Sequence, residues 1–188
     1  MNYKEKIIEL LKKNMSEKGF KLWQGIDKIL PDIWNRPTSS TGKYHRKFNG
    51  EVPSLAEHVY GMVYSAIKLF RMLGIYKKTP EADNLLLSVV LHDSVKYGKM
   101  GNRPHTDVTH DKGAADIISA NKDTFLKLLD EEQFYKLEES IRFHQGRWST
   151  DVPRNKDFDF KDYNPQTLIL HMLDMMSMLD LIQTDVRE

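Results

Sequence analysis

The chain of 188 residues has no cysteine. That excludes disulfides and thiolate metal sites, so any metal must be held by His, Asp or Glu. It also removes any sign of an oxidising compartment. No apolar run approaches the ~20 residues of a membrane span. Charge of either sign is not in excess either: 28 Lys and Arg face 27 Asp and Glu, a formal net charge of +1. This balance argues against a strongly charge-driven nucleic-acid binder and leaves room only for a local basic patch. The opening MNYKEKIIELLKKN lacks the apolar h-region and small-residue cleavage site of a signal peptide, and the expectation is a cytoplasmic protein with no membrane association. No segment reads as a convincing strand, and neither internal repeats nor low-complexity stretches occur. The expected fold is all-α. The length fits one domain, 1–188, with N-terminal helices in 1–34 and a helical core over 35–182.

What is present is a series of amphipathic segments with clear start and stop signals. Residues 3–13 carry Ile7, Ile8, Leu10 and Leu11 against lysines and glutamates. A second helix is expected from Glu17 to Leu30, with Ser16 as N-cap and Pro31 just past its end. Ser54 and Glu57 have capping-box spacing for a helix that reaches about Leu73 and stops at Gly74. Thr79-Pro80 opens the segment on which the chain is organised, LLLSVVLHDSVKYGKM over 85–100. Its apolar run is too continuous for a half-exposed helix and reads as buried on most sides. Thr109 is expected to cap a helix beginning at His110. Two more helices are expected over 122–130 and 131–144, the second with Gly146 as C-cap, and a last one opens at Asn164-Pro165. Between them lies NRPTSSTGKYHRKFNGEVP, residues 35–53, the most basic stretch of the chain. A loop of that length in a compact domain is usually functional or disordered.

Chemistry-bearing residues sit at the ends or inside the apolar stripes of these helices: His58, His92-Asp93, His110, His144 and Asp174. A buried carboxylate such as Asp93 is costly unless a cation, a metal or several hydrogen bonds compensate it. Metal sites in helical bundles are built from facing helices in this manner. The N and O donors, without sulfur, suit Mn, Fe, Ni, Zn or Mg as divalent ions. Six protein ligands are too many for one ion that must also hold water and substrate, and they fit two ions sharing Asp93.

The order His58, His92-Asp93, Asp174 resembles the HD-domain metal-dependent phosphohydrolase superfamily over about residues 37–180. LHDSVKYG carries the central dipeptide, while HDKGA and FHQGRW resemble the two extra histidine segments of the bimetallic branch. The stretch PTSSTGKYHRKFNGEVPSLAEH is similar to the Pro-Ala-x-x-x-Gly-Lys-Tyr-His opening of a nucleotide and nucleic-acid phosphohydrolase subgroup, related to that of YhaM-type exoribonucleases. It departs at Val52-Pro53-Ser54-Leu55, where the family has Gly-Gly-Leu, and at Val95, where it has Gly. The resemblance implies a single-domain helical bundle of the HD type. It implies that His58, His92 and Asp174 hold a first ion, that Asp93 bridges, and that His110 and His144 hold a second. Lys96 would contact a phosphate oxygen or the bridging hydroxide, and with Asp93 it would be a catalytic residue. Lys43, Tyr44 and His45 would line the substrate entrance, opposite Arg147 and Trp148. His171 is expected to orient a ligand or to pack in the core.

The expected activity is metal-dependent hydrolysis of phosphomonoester or phosphodiester bonds in nucleotides or short oligonucleotides. Alternatives are a YhaM-type 3'–5' exonuclease on long single strands, a di-iron oxygenase on the same scaffold, and a non-catalytic binding module. The exonuclease reading lacks chain length for an OB-type binding domain and lacks excess positive charge. No obligate protein partner is evident, and oligomeric state is left open.

Overall fold

The computed structural model describes residues 2–41, 50–151 and 160–178. Among these the chain is a compact, single-domain bundle of eight helices without strands: α1 Tyr3–Asn14, α2 Glu17–Asp27, α3 Leu55–Leu69, α4 Pro80–Leu91, α5 His110–Ala120, α6 Lys122–Phe125, α7 Glu131–Arg142 and α8 Pro165–Met178. One isolated bridge pairs Pro37 with Ser54. No described helix is long and apolar enough to cross a membrane.

α4 is the axis of the bundle, packed against α1, α2, α3, α7 and α8. Every residue from Ala82 to Leu91 is buried, as its unbroken apolar run requires. Ile7 and Leu11 of α1 and Trp23 and Ile26 of α2 belong to the same continuous core as the leucines of α4. The N-terminal helices are therefore part of the bundle and not an appendage.

Most start signals act as the sequence expects. Ser16 accepts from the Gly19 amide, Thr79 from Ala82 and Ser54 from Glu57. Several boundaries differ. α2 stops at Asp27, α3 at Leu69 with turns reaching Gly74, and α7 at Arg142, so that His144 lies in the turn beyond its helix. Thr109 occupies the N-cap position of α5 but makes no cap hydrogen bond. Its hydroxyl donates instead to Asp107 Oδ1 at 2.8 Å, closing a local turn.

α2 and α4 are joined by a buried carboxylate. Asp83 accepts from the Ser16 amide at 2.8 Å and from the Ser16 hydroxyl. Burial pushes its carboxyl upward, against these two hydrogen bonds. The carboxylate rests against Gly19, leaving no space for a Cβ there. Gly19→Ala gains ~1 kcal/mol of helix propensity, but overpacking against an anchored group costs about 1–3 kcal/mol. The variant is expected to unfold at lower urea concentration with unchanged far-ultraviolet circular dichroism. A higher midpoint would show that Asp83 moves aside freely.

Candidate metal centre

Helix ends explain how the histidines arrive. The last carbonyls of a helix have no intrahelical partner. Beyond α4, His92 Nδ1 lies 2.7 Å from the Val89 carbonyl, and beyond α7, His144 Nδ1 lies 2.8 Å from that of Ile141. At the start of α5, His110 Nδ1 lies 2.6 Å from the Asp107 carbonyl. In each case the partner is the carbonyl three residues earlier. A carbonyl only accepts, so Nδ1 carries the proton and Nε2 presents a lone pair. All three Nε2 atoms converge on Asp93.

The cluster has two halves. His58, His92 and Asp93 form one group of buried potential metal ligands, and Asp93, His110 and His144 form another. In the first, His58 and His92 Nε2 are 3.4 Å apart and lie 3.7 and 3.4 Å from Asp93 Oδ2. Asp174 joins this half from α8, its Oδ1 3.3 Å from His58 Nε2 and 4.0 Å from His92 Nε2. In the second, His110 and His144 Nε2 lie 2.8 and 3.7 Å from Asp93 Oδ1. Donors about 2.0–2.2 Å from a common ion stand roughly 3–4 Å apart; the His58–His92–Asp93 half has that spacing, and in the second half all donor atoms lie within 4.8 Å of one another.

Asp93 Oδ1 is buried and has no hydrogen-bond donor. It faces His110 Nε2, whose lone pair cannot serve it. Two acceptors in contact are satisfied by a cation between them, either a proton or a metal ion. The donor set therefore fits a metal: buried His58, His92, Asp93, His110 and His144 could hold metal ions. On the other side of the carboxylate, Lys96 Nζ is 2.5 Å from Oδ2. Burial raises the Asp93 carboxyl, but Lys96, His92 and His110 outweigh it and hold the group well below the usual carboxylate range. Burial lowers His58, and it brings His144 down to about 3 with help from neighbouring His92 and His110. His144 is thus neutral and able to ligate throughout the neutral pH range. For His92 burial acts downward, but Asp93 and Asp174 raise it on balance.

Of the other expected site residues, Lys43, Tyr44 and His45 lie outside the described residues. Arg147 and Trp148 sit on a 3-10 turn, Gly146–Trp148, directly after His144. Trp148 is 53% exposed and its ring lies under the Arg147 guanidinium at 4.4 Å. His171 acts as a support: its Nδ1 donates to the His144 carbonyl at 2.6 Å. Its ring fills the space beside Gly146, at φ +59°, where a Cβ would come within 2.9 Å of it.

Two features had no clear signal in the sequence. Ser177 Oγ lies 2.7 Å from His58 Nδ1. A strap after Trp148 is tied down by Ser149, whose hydroxyl lies 2.5 Å from Asp111 Oδ2 and 2.8 Å from the Arg142 carbonyl, its one proton shared between the two acceptors. Asp151 then pairs with both Arg142 and Lys112. Arg36, at the start of the basic 35–53 stretch, donates to the Arg103 carbonyl at 2.8 Å and stacks on Tyr97 at 4.0 Å.

Compared with protein-family models, curated proteins and solved structures, the chain matches none. The geometry defines a class, an all-helical protein with a buried His/Asp cluster able to hold metal, and no family beyond it.

The purified chain is expected to retain or readily take up divalent metal, with loss of all binding in Asp93→Ala. His144→Ala should lose the ion of the Asp93–His110 half and keep the other. Elemental analysis that finds metal content in His144→Ala equal to wild type would refute the assignment of halves.

Proposed function

We propose that this protein is a metal-dependent phosphohydrolase of the HD-domain type, acting on nucleotides or short oligonucleotides through two divalent ions (Mn, Fe, Ni, Zn or Mg). The observation that carries the reading is Asp93: one buried oxygen faces two histidines with no donor of its own, while the other is held by an ammonium. His58, His92 and Asp174 would hold one ion, His110 and His144 the other, with Asp93 shared. When bound, such ions lower the pKa of a water and neutralise charge on phosphoryl oxygens.

The chain's own groups supply the rest. Lys96 is only 7% exposed, and its ammonium stands at the shared carboxylate. There it can stabilise charge that develops on an equatorial oxygen during displacement at phosphorus. Trp148 offers an exposed ring four residues beyond His144, suited to stacking on a base. Burial of the cluster keeps bulk solvent from screening these charges.

The groove beside His110 favours a small substrate. It encloses about 440 Å³ and carries Lys99, Arg103 and Lys112 together with Asp107 and Asp116. Arg103 pairs with Asp107 and Lys112 with Asp151. Its charge is therefore mostly compensated, which suits one or a few phosphates better than a long polyanion.

The test is a screen of nucleotides, short oligonucleotides and a base-free phosphoester with Mn(II), Ni(II), Fe(II) and Mg(II). Phosphate release that depends on added metal supports the reading. Bound iron with O2-dependent turnover and no hydrolysis would replace it by an oxygenase. Lys96→Ala is expected to lower kcat on the order of 10²-fold with metal content intact, as for loss of one transition-state donor. Trp148→Ala should raise KM on nucleotides, base stacking being worth ~1–3 kcal/mol, while hydrolysis of the base-free ester stays nearly unchanged. Equal losses on both substrates would make Trp148 a residue of the fold.

A further inference from the structure

The pole of the bundle opposite the metal centre carries an exposed apolar turn. α1 and α3 run parallel: Tyr3 Oη donates to Glu57 at 3.3 Å near their starts, and the Lys78 amide donates to the Asn14 carbonyl at 2.8 Å near their ends. His58 stands in the first turns of α3, so Phe70 at the far end lies about 18 Å away along the helix. There the chain reverses on Gly74, at φ +67°. The Ile75 amide returns to the Phe70 carbonyl at 2.8 Å, and Thr79 Oγ1 donates to the Tyr76 carbonyl at 2.8 Å. Phe70 is buried and Ile75 packs on the core, which anchors the turn. Met72, Leu73 and Tyr76 stand out into solvent, 81%, 42% and 80% exposed. Single exposed apolar side chains need no explanation, whereas three at one fixed turn mark a surface that meets a partner.

The same pole is basic. From His58 to Pro80 the chain has no Asp or Glu but carries Lys68, Arg71, Lys77 and Lys78, in a protein whose formal net charge is only +1. The contact of Lys78 with Asn14 brings Lys12 and Lys13 of α1 to this end as well. All six are exposed, and none forms an ion pair among the described residues. The nearest acidic residues along the chain are Glu9, Glu17 and Glu81, and Glu17 is taken up by Lys21 at 2.6 Å. Cations at helix ends offset the negative ends of α1 and α3, but that does not account for apolar side chains set among them. Like charges repel a second copy of this pole, and the aliphatic Met72 and Leu73 have no ring to stack on a base. An anionic lipid surface answers both features. Acyl chains receive the apolar groups, a tyrosine ring suits the headgroup level, and Lys and Arg reach lipid phosphates.

We propose that the 71–78 turn is a docking tip for anionic lipid surfaces, with Met72, Leu73 and Tyr76 entering the boundary between headgroups and acyl chains and the surrounding cations on lipid phosphates. No helix has to cross the bilayer for this contact. Apolar burial and electrostatic attraction add, and together they give reversible attachment. The centre around His58 lies at the other pole and stays uncovered by the bilayer when the tip is docked. The proposal is independent of the metal reading and of the reaction assigned to the centre.

The test is co-sedimentation of the full chain with vesicles of phosphatidylcholine alone and of an equimolar mixture with phosphatidylglycerol. The protein is expected to sediment with the mixed vesicles, far less with phosphatidylcholine, and to be released by added salt. Arg71→Gln combined with Lys77→Gln should weaken binding about 30-fold, from two cations near an anionic surface. Met72→Ser combined with Tyr76→Ser should weaken it about 10-fold or more and leave its salt dependence in place. All four positions are exposed, so far-ultraviolet circular dichroism is expected to be unchanged in both double variants. Equal binding to the two kinds of vesicle, binding to neither, or wild-type binding in either double variant overturns the proposal. A dimer in sedimentation velocity that both variants make monomeric overturns it in favour of a contact between copies. Binding of a single-stranded oligonucleotide that both variants lose, without vesicle binding, assigns this pole to nucleic acid instead.

Discussion

The structure depends on one constraint, a carboxylate at the end of its most buried helix. Leu85, Leu86, Leu87, Val89, Val90 and Leu91 are all buried. At about 1.5–3 kcal/mol per side chain they contribute on the order of 10 kcal/mol. That exceeds the several kcal/mol that desolvating one ion costs, so α4 goes to the centre and takes Asp93 with it. The carboxylate must then find its compensation inside the protein. Lys96 supplies it at one oxygen, and four histidines face the whole group. A site assembled around such a charge is favourable for a cation and poor for a packed apolar core.

The surrounding helices solve a second problem with the same residues. Carbonyls at helix ends need donors, and the Nδ1–H groups of His92 and His144 meet that need at α4 and α7. The capping contact also selects the tautomer and aims Nε2 at Asp93. Local backbone satisfaction and ligand orientation are thus one interaction, which ties the centre's geometry to the positions where helices stop. α8 contributes differently, from within its last two turns, through Asp174 and Ser177.

The polar segments around the site are less free than their composition suggests. Thr38 donates to the Pro53 carbonyl, Tyr97 to the Pro37 carbonyl, and Ser40 meets Thr106. The last two, together with Arg36, clamp residues 36–40 onto the segment that follows Asp93, while Thr38 ties them to Pro53. The hydroxyls of Thr38 and Ser40 and the Arg36 guanidinium are used to hold loops together. The same holds beyond Trp148, where Asp151, Arg142 and Lys112 fasten the strap. Among the described residues around the site, Lys96 at the centre, Lys99 in the groove beside His110 and the exposed Arg147 remain for an anionic ligand.

The all-α class, the helix order and the burial of α4 were legible in the sequence because they rest on local signals. Apolar spacing, Ser16, Ser54 and Thr79-Pro80 act within a few residues of themselves. The convergence of His58, His92, Asp93, His110 and His144 was legible as a set, since each falls at a helix end or in an apolar stripe that must face inward. Thr109 was misread as a side-chain cap because Asp107 lies just as close and accepts its hydroxyl more directly. Ser177 carried no signal at all: a serine in an apolar helix becomes a partner of His58 only when α3 and α8 pack together, 119 residues apart in the chain. The division of the cluster into two halves was implied by the resemblance, but the distances within each half arise only from packing. Sequence determines which side chains are buried, because hydrophobicity and periodicity are local. Which oxygen of Asp93 faces which histidine is decided only by the tertiary structure, because ångström-scale distances between helices arise from packing.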